Sequence, residues 1–297
     1  MNIRNVTVLG AGVLGAQIAL VTAYRGFNVV SWDITDEALQ AASARFDAFG
    51  AQMVAELEDA TEESMSAARG RLRQSTDLED AVREADLVIE AVPEKLEIKR
   101  DVWQRVGQAA PAEAVFATNT STLLPSDFAA ATGSPQRFLA LHFANHIWLQ
   151  NTAEIMPYAG TDLKYVDVLT EFAENIGMVP VQLKKEQPGY ILNTLLVPFL
   201  NAGKYLYANG IAEPADIDLD WRNSSGAPRG PFEIMDVIGL RTMLAVAKLN
   251  ENPADWQQKF TGILEEMIAE GRIGVEVGRG FFIYDSNGKR VDETAAS

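Results

Sequence analysis

Asn5-Val6-Thr7-Val8-Leu9-Gly10-Ala11-Gly12-Val13-Leu14-Gly15 is the stretch that decides the fold. Asn5 to Leu9 is short and β-branched, the pattern of a buried strand. Gly10 to Gly15 is a G-x-G-x-x-G, and by itself it could be an ordinary tight turn. Here it follows a strand directly and opens a helix, Ala16 to Arg25, which Gly26 ends. A second strand, Asn28 to Trp32, then leads to Asp33, 18 residues after Gly15. That context is what a dinucleotide-binding turn requires. Gly10 permits the turn, Gly12 lets the backbone approach a pyrophosphate, and Gly15 lets helix and strand pack closely. The backbone around Val13 and Leu14 turns the positive helix end toward the phosphates. Asp33 would accept from ribose hydroxyls and repel a 2′-phosphate, so NAD(H) is expected over NADP(H).

The alternation continues outward. Thr35 to Ala68 reads as one long helical stretch, Asp86 to Ala91 as a strand and Leu96 to Ala109 as a helix. Ala114 to Thr118, Arg137 to Phe143 and Val179 to Leu183 read as the remaining strands. Strands alternating with helices predict a Rossmann-type, doubly wound, mainly parallel α/β sheet. Composition changes at Lys184-Lys185-Glu186-Gln187-Pro188-Gly189, and Tyr190 to Asn209, Gly239 to Leu249 and Asp255 to Glu270 read as helices. The expected plan is therefore a dinucleotide domain over 1–187, an all-α domain over 188–285 for substrate and dimerisation, and a frayed tail over 286–297. Ile191 to Leu200 is too apolar for a solvated helix, so it is expected in a core or a homodimer interface.

Composition excludes several classes of function. With 25 Lys+Arg against 41 Asp+Glu, the net charge of −16 argues against nucleic acid or an anionic membrane surface as partner. Cysteine is absent, which removes disulfides, thiolate metal sites and cysteine nucleophiles. Every apolar run is interrupted well before the roughly 20 residues of a membrane span. Glycines punctuate the apolar N-terminal stretch, so it is expected as strand and turn rather than a signal peptide, and the protein as cytoplasmic.

Only two histidines exist, His142 and His146. Two histidines without a carboxylate cluster are a weak ligand set, so no metal is expected. His142 ends the strand Arg137–Phe143, on the sheet edge where open α/β folds bind ligands. Ala91-Val92-Pro93-Glu94 and Asn119-Thr120-Ser121 follow two other strands onto the same edge. A strand histidine can be a satisfied core residue, but its neighbours are suggestive. Ser121 sits 21 residues before it, Asn145 three after, and Glu154 twelve after in the apolar stretch Ala153–Met156. A carboxylate in such a stretch needs a partner: His142, or a structural Lys or Arg.

Taken together, these residues resemble the L-3-hydroxyacyl-CoA dehydrogenases over about residues 3–285. The family's histidine and the glutamate twelve residues on match His142 and Glu154. Its Asn-Thr-Ser turn matches Asn119, Thr120 and the substrate-binding Ser121, and its next asparagines match Asn145 and Asn193. The cofactor-contacting Glu and Lys fall on Glu94 and Lys99. Gly226-Ala227-Pro228-Arg229-Gly230-Pro231-Phe232 and Gly280-Phe281-Phe282-Ile283-Tyr284 are similar to two further family motifs. The resemblance implies an NAD-dependent enzyme interconverting a 3-keto and an L-3-hydroxy group, with His142 as acid/base. Glu154 then orients His142, while Ser121 and Asn193 bind the reacting oxygen. The chain also departs from the pattern. His146-Ile147-Trp148 replaces a Pro-Val-Pro run, and Glu56-Leu57-Glu58-Asp59-Ala60-Thr61-Glu62-Glu63 is acidic where coenzyme A-using members carry lysines. Those departures are similar to the diketoreductase branch, so a free β-keto or diketo ester stands beside a coenzyme A thioester as substrate. Trp148 and Trp221 are candidates for the substrate pocket, or for core and dimer packing. The rival reading is an NAD-binding structural or sensory protein without catalysis.

Overall fold

β1 (Asn5–Leu9) is placed inside an eight-stranded sheet by its β-branched Val6, Thr7 and Val8, which are buried together with Leu9. In the computed structural model, which describes residues 2–291, the glycine turn leads from β1 into α1 (Val13–Tyr24) and back to β2 (Asn28–Trp32). Then come α2 (Asp36–Glu56), α3 (Glu62–Arg71), β3 (Leu72–Ser75) and α4 (Leu78–Val82). β4 (Leu87–Glu90), α5 (Leu96–Ala109), β5 (Val115–Thr118) and β6 (Phe138–Phe143) follow. β7 (Thr152–Met156), α6 (Lys164–Asn175) and β8 (Val179–Gln182) complete the sheet. Its order is β3-β2-β1-β4-β5-β6-β7-β8, with every neighbouring pair parallel except β6 and β7. The order reverses between β1 and β4, which opens a crevice at the carboxyl edge of the strands. β4, β5 and β6 are buried at every residue, as helices on both faces of a parallel sheet dictate. Pro180 sits in β8, the edge strand, where a missing N–H costs least.

Several elements differ from the expectation. The single helix over Thr35–Ala68 is two, because Thr61 caps α3 by a reciprocal pair of bonds with Ser64 and so stops α2 upstream. β3 and β7 carry polar residues that masked their strand pattern. The Glu154 carboxylate in β7 is the clearest case.

By tertiary contacts the chain divides into two units, Met1–Ile191 and Leu192–Ser297. The second holds the greater part of α7 (Tyr190–Ala208), then α8 (Pro214–Ser225), α9 (Pro231–Ile238), α10 (Leu240–Ala247) and α11 (Asp255–Ala269). α8 and α9 were not anticipated, although each starts with a proline in its first turn, the usual signal. Two buried aspartates organise this unit. Asp218 accepts from the Phe232 and Glu233 N–H groups (2.9 and 2.8 Å) and so caps α9 from a neighbouring helix. A Cβ on Gly230 would stand 2.2 Å from the Asp218 Cγ, which is why the turn needs glycine there. Asp236 accepts from the Phe281 and Phe282 N–H groups and from the Tyr284 hydroxyl. The tail expected to fray from Ser286 instead folds back as far as it is described. Tyr284 bridges Arg290, whose guanidinium lies 3.4 Å from the Phe282 ring centroid. Residues 292–297 of that expected tail lie outside the described residues.

Candidate active site

His142 is the penultimate residue of β6 and lies opposite Glu154 of β7 in the antiparallel register. This pairing is the structural meaning of their twelve-residue spacing. Both side chains are about 4% exposed, and His142 Nδ1 lies 2.9 Å from Glu154 Oε2. A carboxylate can only accept, so Nδ1 carries the proton and Nε2 faces outward. Nε2 lies 3.1 Å from Ser121 Oγ. The other Glu154 oxygen accepts from the Ile191 N–H at 2.9 Å, which fixes the carboxylate's rotation. The imidazole is stacked on the Tyr190 ring, with centroids 4.3 Å apart and planes 12° from parallel. Tyr190 holds φ +53°, a conformation that a bulky residue adopts only when its surroundings compel it. Burial, reinforced by Glu94 and Glu154, pushes its phenol far up, so it stays neutral against the imidazole.

The Ser121 turn is held by one carboxylate oxygen. Glu94 Oε1 accepts from the Ser121 N–H (3.0 Å), the Thr122 N–H (2.9 Å) and the Thr120 and Thr122 hydroxyls. Its other oxygen lies 3.1 Å from the Lys99 ammonium. Lys99, 1% exposed, also donates to fully buried Glu90 at 2.6 Å, and Glu90 in turn accepts from Thr118 and from the Val92 N–H. Burial acts to raise the Glu94 pKa, but Lys99 and the turn's donors outweigh it and hold the carboxyl down at about 2. Glu94 and Lys99, expected to contact the cofactor, are thus joined to each other and to the Ser121 turn, and both also line the neighbouring cavity. Asn119 braces the same region: its side-chain oxygen accepts from the Phe143 N–H at 2.9 Å.

The glycine turn fits a dinucleotide. Gly10 has φ +95°, and a Cβ there would stand 2.5 Å from the Ala91 carbonyl oxygen. A Cβ on Gly15 would lie 1.9 Å from the Gly10 oxygen, whereas nothing lies within 4 Å of one on Gly12. The backbone is thus packed on one side and open on the other, where the phosphates would lie. α1 begins without a side-chain cap and without an acid in its first turn, leaving its N–H groups for an anion. A cavity of about 250 Å³ runs from Gly12–Gly15 past Ala91, Glu94 and Lys99 to Asn119 and Ser121. Asp33 follows β2 directly, and its oxygens accept from the Ala11 and Ile34 N–H groups (2.8 and 2.7 Å). Each oxygen retains a lone pair for a ribose hydroxyl.

The structure brings His142, Glu154, Ser121, Glu94 and Asn119 together at one edge. Asn145 stands exposed just beyond β6, and Asn193 lies in α7 within the second unit. Trp221, in α8, is 41% exposed and packs against Phe199. Trp148 is 7% exposed, packs on Phe49 and donates its indole N–H to Glu56 at 2.6 Å. Sequence reasoning missed Tyr190, although the preceding Pro188-Gly189 marks the turn that delivers it. It also missed Glu90, whose signal was a lone acid closing an apolar strand. Among the described residues no group of three or more His, Cys, Asp or Glu could hold a metal ion, and no helix is long and apolar enough to cross a membrane.

Residues 5–187 match the family profile described as 3-hydroxyacyl-CoA dehydrogenase, NAD binding domain, and residues 189–284 match its C-terminal domain. The mitochondrial hydroxyacyl-coenzyme A dehydrogenase of Sus scrofa is 33% identical over 289 residues, which is 95% of this chain and 91% of that one. A solved diketoreductase, studied for dual catalysis of dicarbonyl compounds, superposes with a TM-score of 0.91 at 49% identity, covering 96% of this chain and 100% of its own. The (S)-3-hydroxybutyryl-CoA dehydrogenase of Ralstonia eutropha gives 0.79 at 30% identity, covering 96% and 100%.

Proposed function

Since the chain belongs to the 3-hydroxyacyl-CoA dehydrogenase family, and is therefore an NAD-dependent oxidoreductase acting on a CH–OH group, we propose that it interconverts a 3-keto and an L-3-hydroxy group with His142 as general acid and base. The observation that carries this reading is the Glu154–His142–Ser121 line, at 2.9 and 3.1 Å, ending beside the glycine-turn cavity. NAD, held when bound by the Gly10–Gly15 backbone and Asp33, supplies the hydride chemistry. In the direction of reduction, protonated His142 gives its Nε2 proton to the oxygen of the substrate carbonyl. The Ser121 hydroxyl, and in our reading the Asn193 amide, donate to that oxygen as charge develops on it. Glu154 fixes the tautomer and stabilises the imidazolium. In oxidation Nε2 takes the hydroxyl proton. Such acid–base help is worth about 10²–10⁴-fold.

For the substrate, we read a free β-keto or diketo ester ahead of a coenzyme A thioester. The similarity to the diketoreductase and the acidic run from Glu56 to Glu63 support that order. The absence of cysteine and the exposed apolar Ile191, Leu195 and Val197 of α7 support a cytoplasmic homodimer. The test is NADH oxidation with ethyl acetoacetate beside acetoacetyl-CoA. Turnover is expected with the ester at higher kcat/KM. NADH binding with turnover of neither would favour a non-catalytic role.

A further inference from the structure

Two departures from the family pattern, 90 residues apart, meet at a single carboxylate. Glu56 closes α2 and begins the acidic run, while His146 and Trp148 belong to the loop that leaves the histidine strand. Glu56 Oε2 accepts from the Trp148 indole N–H at 2.6 Å and lies 2.7 Å from His146 Nε2. The His146 and Trp148 rings meet edge to face at 4.5 Å.

The loop is over-determined in a way that a plain surface loop is not. His146 holds φ +65°. Buried Gln17 of α1 accepts from both the His146 and the Ile147 N–H groups, at 2.7 and 3.2 Å. A strained residue persists where several contacts agree on it, and such sites cluster near chemistry. This one lies four residues after His142 and one after Asn145. Burial works against ionisation of Glu56, but the Trp148 and His146 bonds outweigh it and hold its carboxyl below the usual range. Exposed Glu58, Glu62 and Glu63 extend the same negative sign, whereas Asp59 is paired with Arg25.

We propose that Glu56 is a specificity-determining positioning residue: by gripping His146 and Trp148 it fixes a negative charge on the loop beyond His142, so that the site favours an uncharged keto ester over a substrate carrying phosphates. This rests on the keto-reductase reading above and names what within the chain selects the substrate. A clamped charge cannot swing away from an approaching phosphate, as a free surface glutamate can.

The experiment compares kcat/KM for ethyl acetoacetate and acetoacetyl-CoA, each with NADH, in wild type, Glu56→Gln and Glu56→Lys. Glu56→Gln keeps an acceptor for Trp148 while removing the charge, so it separates charge from folding. The thioester-to-ester ratio is expected to rise about tenfold in Glu56→Lys and by less in Glu56→Gln, through KM for the thioester. Added salt should lower the wild-type KM for the thioester and leave that for the ester unchanged. A ratio that stays within twofold in both variants, with both substrates turned over, overturns this inference alone. Wild-type turnover of neither substrate overturns the keto-reductase reading and this inference with it.

Discussion

His142 illustrates how much chemistry depends on the neighbours of one side chain. The same imidazole without Glu154 would be a strand histidine with an undetermined tautomer. Glu154→Gln replaces an obligate acceptor with a group that can also donate, and we expect kcat to fall by about 10²-fold or more with KM for NADH unchanged. Ser121→Ala should cost about 10- to 100-fold in kcat. A loss below threefold in steady-state kinetics for either variant would remove that residue from the proton path. Asp33 is tested apart from these. kcat/KM should favour NADH over NADPH, and the reverse preference would show that Asp33 does not face the ribose hydroxyls. The residues with a fixed chemical signature were legible before the fold was known: three glycines before a helix, an acid after the next strand, a histidine at a strand end. Tyr190 was not, because stacking on an imidazole leaves no mark in spacing. Glu90 and its pairing with Lys99 were obscured similarly, since a buried ion pair declares itself only when its elements are packed.

At the level of elements, turns and caps do most of the positioning. Glu94 ties four positions of chain, from Thr120 to Leu123, to the end of β4 through its bonds to the Ser121 turn, Lys99 and, in turn, Glu90. We expect Glu94→Gln to lower kcat by about tenfold while the protein still folds, because a neutral amide leaves Lys99 partnered by Glu90 but loosens the turn. Steady-state kcat and KM check this, and an unchanged kcat would show that the turn holds without the charge. Gly15→Ala should abolish NADH binding as read by fluorescence titration, since its Cβ would have to occupy the Gly10 oxygen's place. Retained micromolar binding would mean that the turn can relax. The strands β1, β2, β4, β5 and β6 were legible, because periodicity and burial agree there, and β8 was legible as well. The pattern failed at β3, at β7 and at the α2–α3 break. In those places polar side chains satisfied by specific partners, or a cap within an apparently continuous helix, override the hydrophobic pattern.

For the whole molecule, charge and burial set a pH dependence. Burial, against the pull of the Phe232 and Glu233 N–H groups, raises the Asp218 pKa to about 6. A raised carboxyl contributes stability that is full below its unfolded pKa and lost as pH rises through about 6. Glu94 acts oppositely, its contribution being present above the unfolded value and lost as pH falls toward about 2. Stability is therefore expected to rise as pH drops from about 7 to 5 and to fall below about 4. Asp218→Asn should flatten the upper limb of Tm against pH, and an unaltered slope in calorimetry would place the titration elsewhere. The central claim remains that one imidazole, oriented by a carboxylate, moves the proton while NAD handles the hydride. The measurement that tests it most directly is kcat for keto-ester reduction by His142→Ala alongside its NADH dissociation constant. The account predicts turnover lost and NADH binding retained. Turnover above a hundredth of the wild-type value would contradict it.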